Sequence, residues 1–231
     1  MHSFENATVV LVHGAWADGS SWAAVIPPLQ EHGLKVVAAP IPLTSLGDDA
    51  AALNRTIART RGPLIIAGHA YAGAVIATAH HERVKALVYI AALAPDEGET
   101  VAQVFYKDEP HPYAPQLAPD ADGLIWLPDS GFDHAFAQNA TPAQIALAKA
   151  VQRPIALKSI QEPAPVPAWK SRPAWYLLAE QDRMINPATQ RFIAERMKAT
   201  IRSFPVDHNP LLTAPETVVD IILEAAKASI S

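Results

Sequence analysis

The sequence predicts an α/β fold in which a mostly parallel sheet of about six strands carries helices on both faces. Short runs rich in β-branched residues alternate with longer helical stretches along the chain. These runs are apolar almost throughout, which is typical of strands that helices cover on both sides. The chain has 231 residues, of which 50% are hydrophobic and 18% are charged. This length suits one large domain with a substantial core and leaves no room for two full ones.

The apolar runs place the strands along the chain. Five are predicted, as "TVVLV" (8–12), "KVVAA" (35–39), "PLIIA" (63–67), "VKALVYI" (84–90) and "AWYLLA" (174–179), with a weaker sixth at "IRSFP" (201–205). Helices are predicted between them at about 21–32, 46–61, 71–81, 187–198 and 215–228. Pro27 and Pro28 lie inside the first of these helices, so it is expected to be kinked or shortened.

Proline marks an internal boundary, because 12 of the 21 prolines fall between Pro95 and Pro173. We interpret residues 95–173 as an insertion that forms a lid over a core made of residues 1–94 and 174–231. The insertion contains a helical pattern, "TPAQIALAKAVQ", with Thr141 suited to the N-cap. A disordered, proline-rich linker is the alternative. The apolar residues of the segment and its position between two sheet strands favour the lid.

Composition narrows the class of protein. The net charge is −5 and the basic residues are scattered, so nucleic acid is not an expected partner. The chain has no cysteine, which excludes disulfides, thiolate metal sites and cysteine nucleophiles. The first ten residues show no signal peptide, and no stretch has the pattern of a membrane helix. We therefore expect a cytoplasmic protein without contact to membranes, and a homodimer is compatible with the sequence.

The stretch "LIIAGHAYAGAVI" (64–76) has the pattern of a strand, a tight turn and a helix. Gly-x-Ser-x-Gly in this context is a nucleophile elbow, in which small residues permit a strained turn that exposes the serine. Residues 68–72 occupy these five positions, with Ala70 where the serine would stand. A methyl group can neither attack a carbonyl nor be activated by a base. Small residues between a strand and a helix are also common in ordinary packing, so this motif decides little alone.

Three further pieces lie after predicted strands. In "VLVHGAW" the backbone N–H of Ala15 could pair with that of Tyr71 to hold an oxyanion. Asp182 follows a strand, and His208 stands in a loop before the last helix. Taken singly, Asp182 would be interpreted as a helix cap or a surface residue, and His208 as a solvent-facing histidine. Together with Ala70 they give the order nucleophile, acid and base at the carboxyl ends of strands. Asp96 is the reserve candidate for the acid.

The chain resembles the α/β-hydrolases over essentially its whole length, and is similar to small bacterial esterases related to the plant methylesterase and hydroxynitrile lyase group. The resemblance rests on "LVHGAW", "AGHAYAGAVI", "AEQDRMINP" and "VDHNPLLTAPE". It implies a Ser-His-Asp triad that acts on esters without cofactor or metal. His208 would be the general base, Asp182 its orienting acid, and Ala15 and Tyr71 the oxyanion residues. Asn209 stands where the hydroxynitrile lyases have lysine, which argues against cyanohydrin chemistry.

Three explanations of Ala70 follow. The one we favour is a carboxylesterase whose serine has been replaced by alanine in order to trap an uncleaved substrate, so that it binds small, partly apolar esters but barely turns them over. A natural catalyst that uses His208 and Asp182 as a base without a nucleophile is the second, with proton abstraction, carbon–carbon cleavage or cofactor-free oxygenation as its chemistry. The third is a ligand-binding receptor. The aromatic residues expected to wall the pocket are Trp16, Phe105, Trp126, Phe132 and Phe136. His13 and His69 are expected to donate hydrogen bonds within the scaffold.

Overall fold

The computed structural model describes residue 4 and residues 6–230. In chain order the strands and α-helices are β1 (Thr8–Val12), α1 (Ile26–Glu31), β2 (Lys35–Ala39), α2 (Leu46–Ala58), β3 (Leu64–His69), α3 (Ala72–Ile76), β4 (Val84–Ile90), α4 (Val101–Phe105), β5 (Leu124–Ile125), α5 (Asp129–Gly131), α6 (Pro142–Ala150), β6 (Ile155–Ala156), α7 (Leu157–Gln161), β7 (Ala174–Ala179), α8 (Pro187–Arg196), β8 (Thr200–Phe204), α9 (Pro210–Thr213) and α10 (Pro215–Ser229). Short 3₁₀ turns lie at Gly19–Trp22 and Ala168–Lys170, and a π-helical turn lies at Phe132–Phe136.

Six strands form the central sheet in the order β2-β1-β3-β4-β7-β8, and all neighbours are parallel. Side chains that alternate along each strand enter two separate apolar cores, one on each face. In β1, for example, Val10 packs with α2 and α3, while Val9 packs with α1 and α10. The predicted fold class is therefore confirmed, because the continuous apolar runs are strands buried on both faces.

Two predicted helices are shorter in the structure. Residues 21–32 form a 3₁₀ turn and then α1, whose first turn contains Pro27 and Pro28. Proline has no backbone N–H to donate, so it suits a helix start better than a helix interior. The predicted helix 71–81 ends at Ile76. There the chain tightens into i→i−3 hydrogen bonds, and the Thr78 hydroxyl donates to Val75 O at 2.7 Å.

The segment between β4 and β7 is folded and packs on the face of the sheet that carries α2 and α3. Its helix α6 begins at Pro142 and is capped by Thr141, which exchanges hydrogen bonds with Gln144 in a capping box. Strands β5 and β6 pair antiparallel to each other. Ile125 and Phe132 are buried in the adjoining core cluster. The interpretation as a disordered linker is therefore wrong.

No helix within residue 4 and residues 6–230 is both long enough and apolar enough to cross a membrane.

Candidate active site

The turn between β3 and α3 holds Ala70 in the left-handed region, with φ of +51°. A non-glycine residue in this conformation carries strain of about 1–2 kcal/mol. Three backbone hydrogen bonds hold it there. Ala70 N donates to Ile90 O at 3.1 Å, and Ala70 O accepts from Gly73 N at 3.1 Å and from Leu93 N at 3.0 Å. The end of β4 thus fixes the turn in the conformation that presents residue 70.

Glycines are required at and beside this turn because neighbouring backbone atoms leave no room for a side chain. A Cβ atom on Gly73 would overlap Leu93 O, and a Cβ atom on Gly68 would lie 2.9 Å from Ala72 O. A Cβ atom on Gly14 would lie 3.0 Å from His69 O and 3.2 Å from the Cβ of Ala70. The small residues of the motif are therefore explained by contacts of the turn itself.

Asp182 and His208 form a buried hydrogen-bonded pair. His208 Nδ1 donates to Asp182 Oδ2 at 2.7 Å, and the two residues are 2% and 1% exposed. Asp182 Oδ1 also accepts from the backbone N–H groups of Met184 at 2.7 Å and Ile185 at 2.9 Å. Because an ionised carboxylate can only accept, the proton of this hydrogen bond is on His208 Nδ1, and a neutral imidazole in that tautomer carries its lone pair on Nε2. His208 and Ala70 line the same cavity.

Gln190 contacts the same carboxylate and was not predicted from the sequence. From α8 its Nε2 donates to Asp182 Oδ2 at 2.7 Å and to Ile185 O at 3.1 Å. Its Oε1 accepts from Ala179 N at 3.0 Å. Gln190 is fully buried and fixes the carboxylate to the end of β7. A glutamine in an amphipathic helix has no sequence signature, so only the fold reveals this role.

His69 lies directly beside the pair. Its Nε2 donates to His208 O at 2.7 Å, and the two imidazole rings are 5.0 Å apart. Burial, and secondarily the neighbouring His208, lower the pKa of His69 to about 3. His13 likewise donates from Nδ1 to Gly14 O at 2.9 Å, and burial lowers its pKa. Both histidines make scaffold hydrogen bonds, as expected from the sequence.

Ala15 and Tyr71 also line the cavity that contains Ala70 and His208. Ala15 follows β1, and Tyr71 is the N-cap of α3. Neither backbone N–H donates a hydrogen bond to any group within residue 4 and residues 6–230. Residues with unpaired N–H groups that share a cavity with a histidine can supply the donors that stabilise a developing oxyanion.

The cavity has a volume of about 230 Å³ and mostly apolar walls. Trp16, Phe105 and Phe136, three of the aromatic residues considered in the sequence, line it. Trp16 and Phe136 meet edge to face with ring centroids 6.2 Å apart, and Trp16 Nε1 donates to Ile125 O at 3.0 Å. No side chain of lysine, arginine, aspartate or glutamate lines the cavity within the described residues. The site therefore fits a neutral, apolar ligand.

Two predicted pocket residues do not line the cavity. Trp126 is 48% exposed and donates from Nε1 to Asp120 Oδ2 at 3.1 Å, so it points toward solvent. Phe132 is fully buried behind Phe136, with ring centroids 5.3 Å apart, and only Phe136 reaches the cavity. Aromatic character alone did not distinguish a wall residue from its supporting layer or from a surface residue.

The reserve acid, Asp96, lies elsewhere. Burial acts to raise the pKa of this carboxyl, but the ion pair with Lys170 and a hydrogen bond from Glu97 N together lower it below its ordinary value. Asp182 is therefore the carboxylate that contacts His208. Within the described part of the chain no three or more histidine, aspartate or glutamate side chains converge in a way that could hold a metal ion.

Comparison with known proteins identifies a family that matches most of the chain. A model described as the alpha/beta hydrolase family matches residues 9–221. The pyrethroid hydrolase of Sphingobium wenxiniae is 26% identical over an alignment of 249 residues, which covers 95% of this chain and 88% of that protein.

Solved structures share the fold. Polyneuridine aldehyde esterase superposes with a TM-score of 0.84 at 18% identity, covering 96% of this chain and 99% of that chain. A methylesterase from Arabidopsis superposes with a TM-score of 0.80 at 16% identity and the same coverage. The resemblance predicted from the sequence motifs is confirmed at the level of the family and the fold.

Proposed function

The chain belongs to the alpha/beta hydrolase family, and we propose that it is a carboxylesterase in which Ala70 occupies the position of the nucleophile. Its proposed substrates are small, apolar, neutral esters. One observation carries the proposal. His208, paired with the buried Asp182, lines the same apolar cavity as Ala70, whose backbone has the strained conformation of a nucleophile elbow. Relatives named as hydrolases and esterases support the reaction class.

The proposed chemistry follows from these positions. With serine at residue 70, His208 Nε2 would accept the hydroxyl proton while the oxygen attacks the ester carbonyl. Asp182 would stabilise the resulting imidazolium, and the N–H groups of Ala15 and Tyr71 would hold the oxyanion. With Ala70 the attacking oxygen is missing. Binding and oxyanion stabilisation alone give only about 10³ to 10⁴-fold acceleration over water in triad hydrolases, so the chain should bind esters and turn them over slowly.

The substrate class follows from the cavity walls. A volume of about 230 Å³ without charged side chains favours an ester that buries an apolar acyl or alcohol group. A charged group placed there would lose its hydration without an ion partner. We therefore propose that the segment 95–173, which contributes Phe105, Phe136 and Ile155 to the walls, acts as the lid that selects neutral substrates.

Restoring the hydroxyl tests the proposal. Ala70→Ser should hydrolyse p-nitrophenyl butyrate much faster than the original chain, whereas the charged p-nitrophenyl hemisuccinate should remain a poor substrate. Asp182→Asn in the Ala70→Ser background should lower turnover about 10⁴-fold, because the histidine then adopts the wrong tautomer. A His81→Gln variant in the same background is the control, since His81 is an exposed histidine. No gain on restoring the serine would contradict the proposal.

A second candidate function rests on the fact that the Asp182–His208 pair is complete without a nucleophile. Such a pair can remove a proton from a bound neutral substrate. In that case the original chain would catalyse a non-hydrolytic reaction, for example deuterium exchange next to a ketone carbonyl. The reaction would be lost in His208→Ala, and Ala70→Ser would bring no esterase activity. That combination of results would replace the esterase proposal.

A further inference from the structure

Asp49 is a buried carboxylate that the reaction described above does not use. It lies in the first turn of α2 and has no exposed surface. Its Oδ2 accepts from the Tyr71 hydroxyl at 2.7 Å, and its Oδ1 accepts from Leu43 N at 2.7 Å. A buried carboxylate costs free energy unless its oxygens are paired, and here each oxygen has a donor.

The first of these partners belongs to the proposed oxyanion site. Tyr71 follows the strained Ala70, and the peptide between them carries the N–H assigned to the oxyanion. The direction of that N–H depends on the torsions of residues 70 and 71. The tyrosine side chain is 3% exposed, and its hydroxyl is anchored on a different helix from the one that Tyr71 begins. The anchor restricts rotation of Tyr71 and hence of its N–H.

The second partner connects the carboxylate to the wall of the cavity. Leu43 is held at a φ of +62°, and its carbonyl accepts from Ala156 N at 2.9 Å. Ala156 lies between Ile155 and Leu157, and both of these neighbours line the cavity. A short series of hydrogen bonds thus runs from the elbow through Asp49 and Leu43 to the apolar wall.

We propose that Asp49 is a positioning residue, which holds the Tyr71 N–H in its oxyanion-binding direction and ties it to the wall formed around Ile155. This inference rests on the proposed esterase function. Burial raises the pKa of Asp49 to about 6. The hydrogen bonds from Tyr71 and Leu43 and the charge of Arg153 act to lower this pKa, whereas the charge of Asp48 acts to raise it. Burial, followed by the charge of Asp49, raises the pKa of Tyr71 well above its ordinary value. At neutral pH the pair is therefore a carboxylate and a neutral phenol, which is the charge state that the hydrogen bond requires.

The test uses Asp49→Asn, Tyr71→Phe and the double variant, all in the Ala70→Ser background. Tyr71→Phe keeps the ring and the backbone N–H and removes only the anchoring hydroxyl. Asp48→Asn is the matched control, because Asp48 is the adjacent, exposed carboxylate. Steady-state kinetics on a p-nitrophenyl ester are normalised to the sites that react with an aryl phosphonate, so that unfolded protein does not contribute.

A misdirected oxyanion donor acts on the transition state, so each single variant should lower kcat about tenfold and change KM by less than about twofold. The double variant should be no slower than either single variant, because both remove the same interaction. Asp48→Asn should match its parent. If Asp49→Asn does not fold, Tyr71→Phe alone decides.

Two outcomes would overturn the inference while the esterase proposal stands. One is an unchanged kcat per titrated site, even if the melting temperature falls, since Asp49 would then only stabilise the fold. The other is a rise in KM at constant kcat, which would indicate a deformed cavity. An Ala70→Ser protein without hydrolysis would overturn the proposed function and this inference with it.

Discussion

The buried histidine beside the candidate triad should make the protein sensitive to acid. His69 has a folded-state pKa of about 3, against 6.5 for the unperturbed group. Between these values the unfolded chain binds the proton and the folded chain does not, so stability is complete above about pH 6.5 and is lost as the pH falls. At about 1.36 kcal/mol per pH unit, the loss reaches about 3 kcal/mol at pH 4 and about 4 kcal/mol at pH 3, where the folded histidine itself begins to bind the proton. Typical domains have a total stability of about 5–15 kcal/mol.

The assay is urea denaturation between pH 4 and pH 7.5, applied to the original chain and to His69→Gln. The glutamine amide can still donate to His208 O but does not titrate. The stability of the original chain relative to the variant should therefore fall by about 3 kcal/mol from pH 7.5 to pH 4. His81→Gln, which changes an exposed histidine, should show no such trend. A stability difference that stays constant with pH would show that His69 is not buried as a neutral group.

Three other perturbations test separate parts of the structure. Gly73→Ala should lower the free energy of unfolding, measured by urea denaturation, by about 1–3 kcal/mol, because its Cβ would overlap Leu93 O. Gly47→Ala is the control and should not lower it, because a Cβ there has its nearest neighbours at 3.9 Å. Equal stabilities of the two variants would contradict the contacts at the turn. Because burial raises the pKa of Asp49 from 3.8 to about 6, its ionisation lowers stability as the pH rises from about 4 to 6, by up to about 3 kcal/mol. Asp49→Asn should lack that slope, and an identical slope in both proteins would refute the assignment. Ala102→Trp should fill the cavity and weaken ester binding at least about tenfold by calorimetry, and undiminished binding would place the ligand elsewhere.

Much of the fold could be predicted because its signals are local. The strands β1, β2, β4 and β7 begin and end where their apolar runs do. The start of α6 could be predicted from Thr141 and the proline that follows it, because a capping residue and a proline at the first helical position favour a helix start through contacts within the first turn. The order nucleophile, acid and base could also be predicted from local patterns, because each of the three positions follows a strand. The carboxyl ends of parallel strands lie at the same edge of the sheet.

The rest depended on contacts between distant parts of the chain. Asp49 and Gln190 occupy ordinary helical positions, and their partners, Tyr71 and Asp182, are set by how helices pack on the sheet. The error on Trp126 has the same origin. The Trp126 side chain is oriented by the two-residue strand β5 beside it and by its hydrogen bond to Asp120. A strand this short has no periodic pattern in the sequence, and the hydrogen bond cannot be predicted from it.

Covalent labelling of residue 70 shows whether His208 can activate a nucleophile at this position. Ala70→Ser should be treated with a p-nitrophenyl alkylphosphonate, which transfers its phosphonyl group to an activated serine, and analysed by intact-protein and peptide mass spectrometry. We expect one adduct per chain at position 70, a much slower reaction in Ala70→Ser with His208→Ala, and no adduct on the original chain. An unmodified Ala70→Ser protein, or adducts on other serines in both proteins, would contradict this expectation.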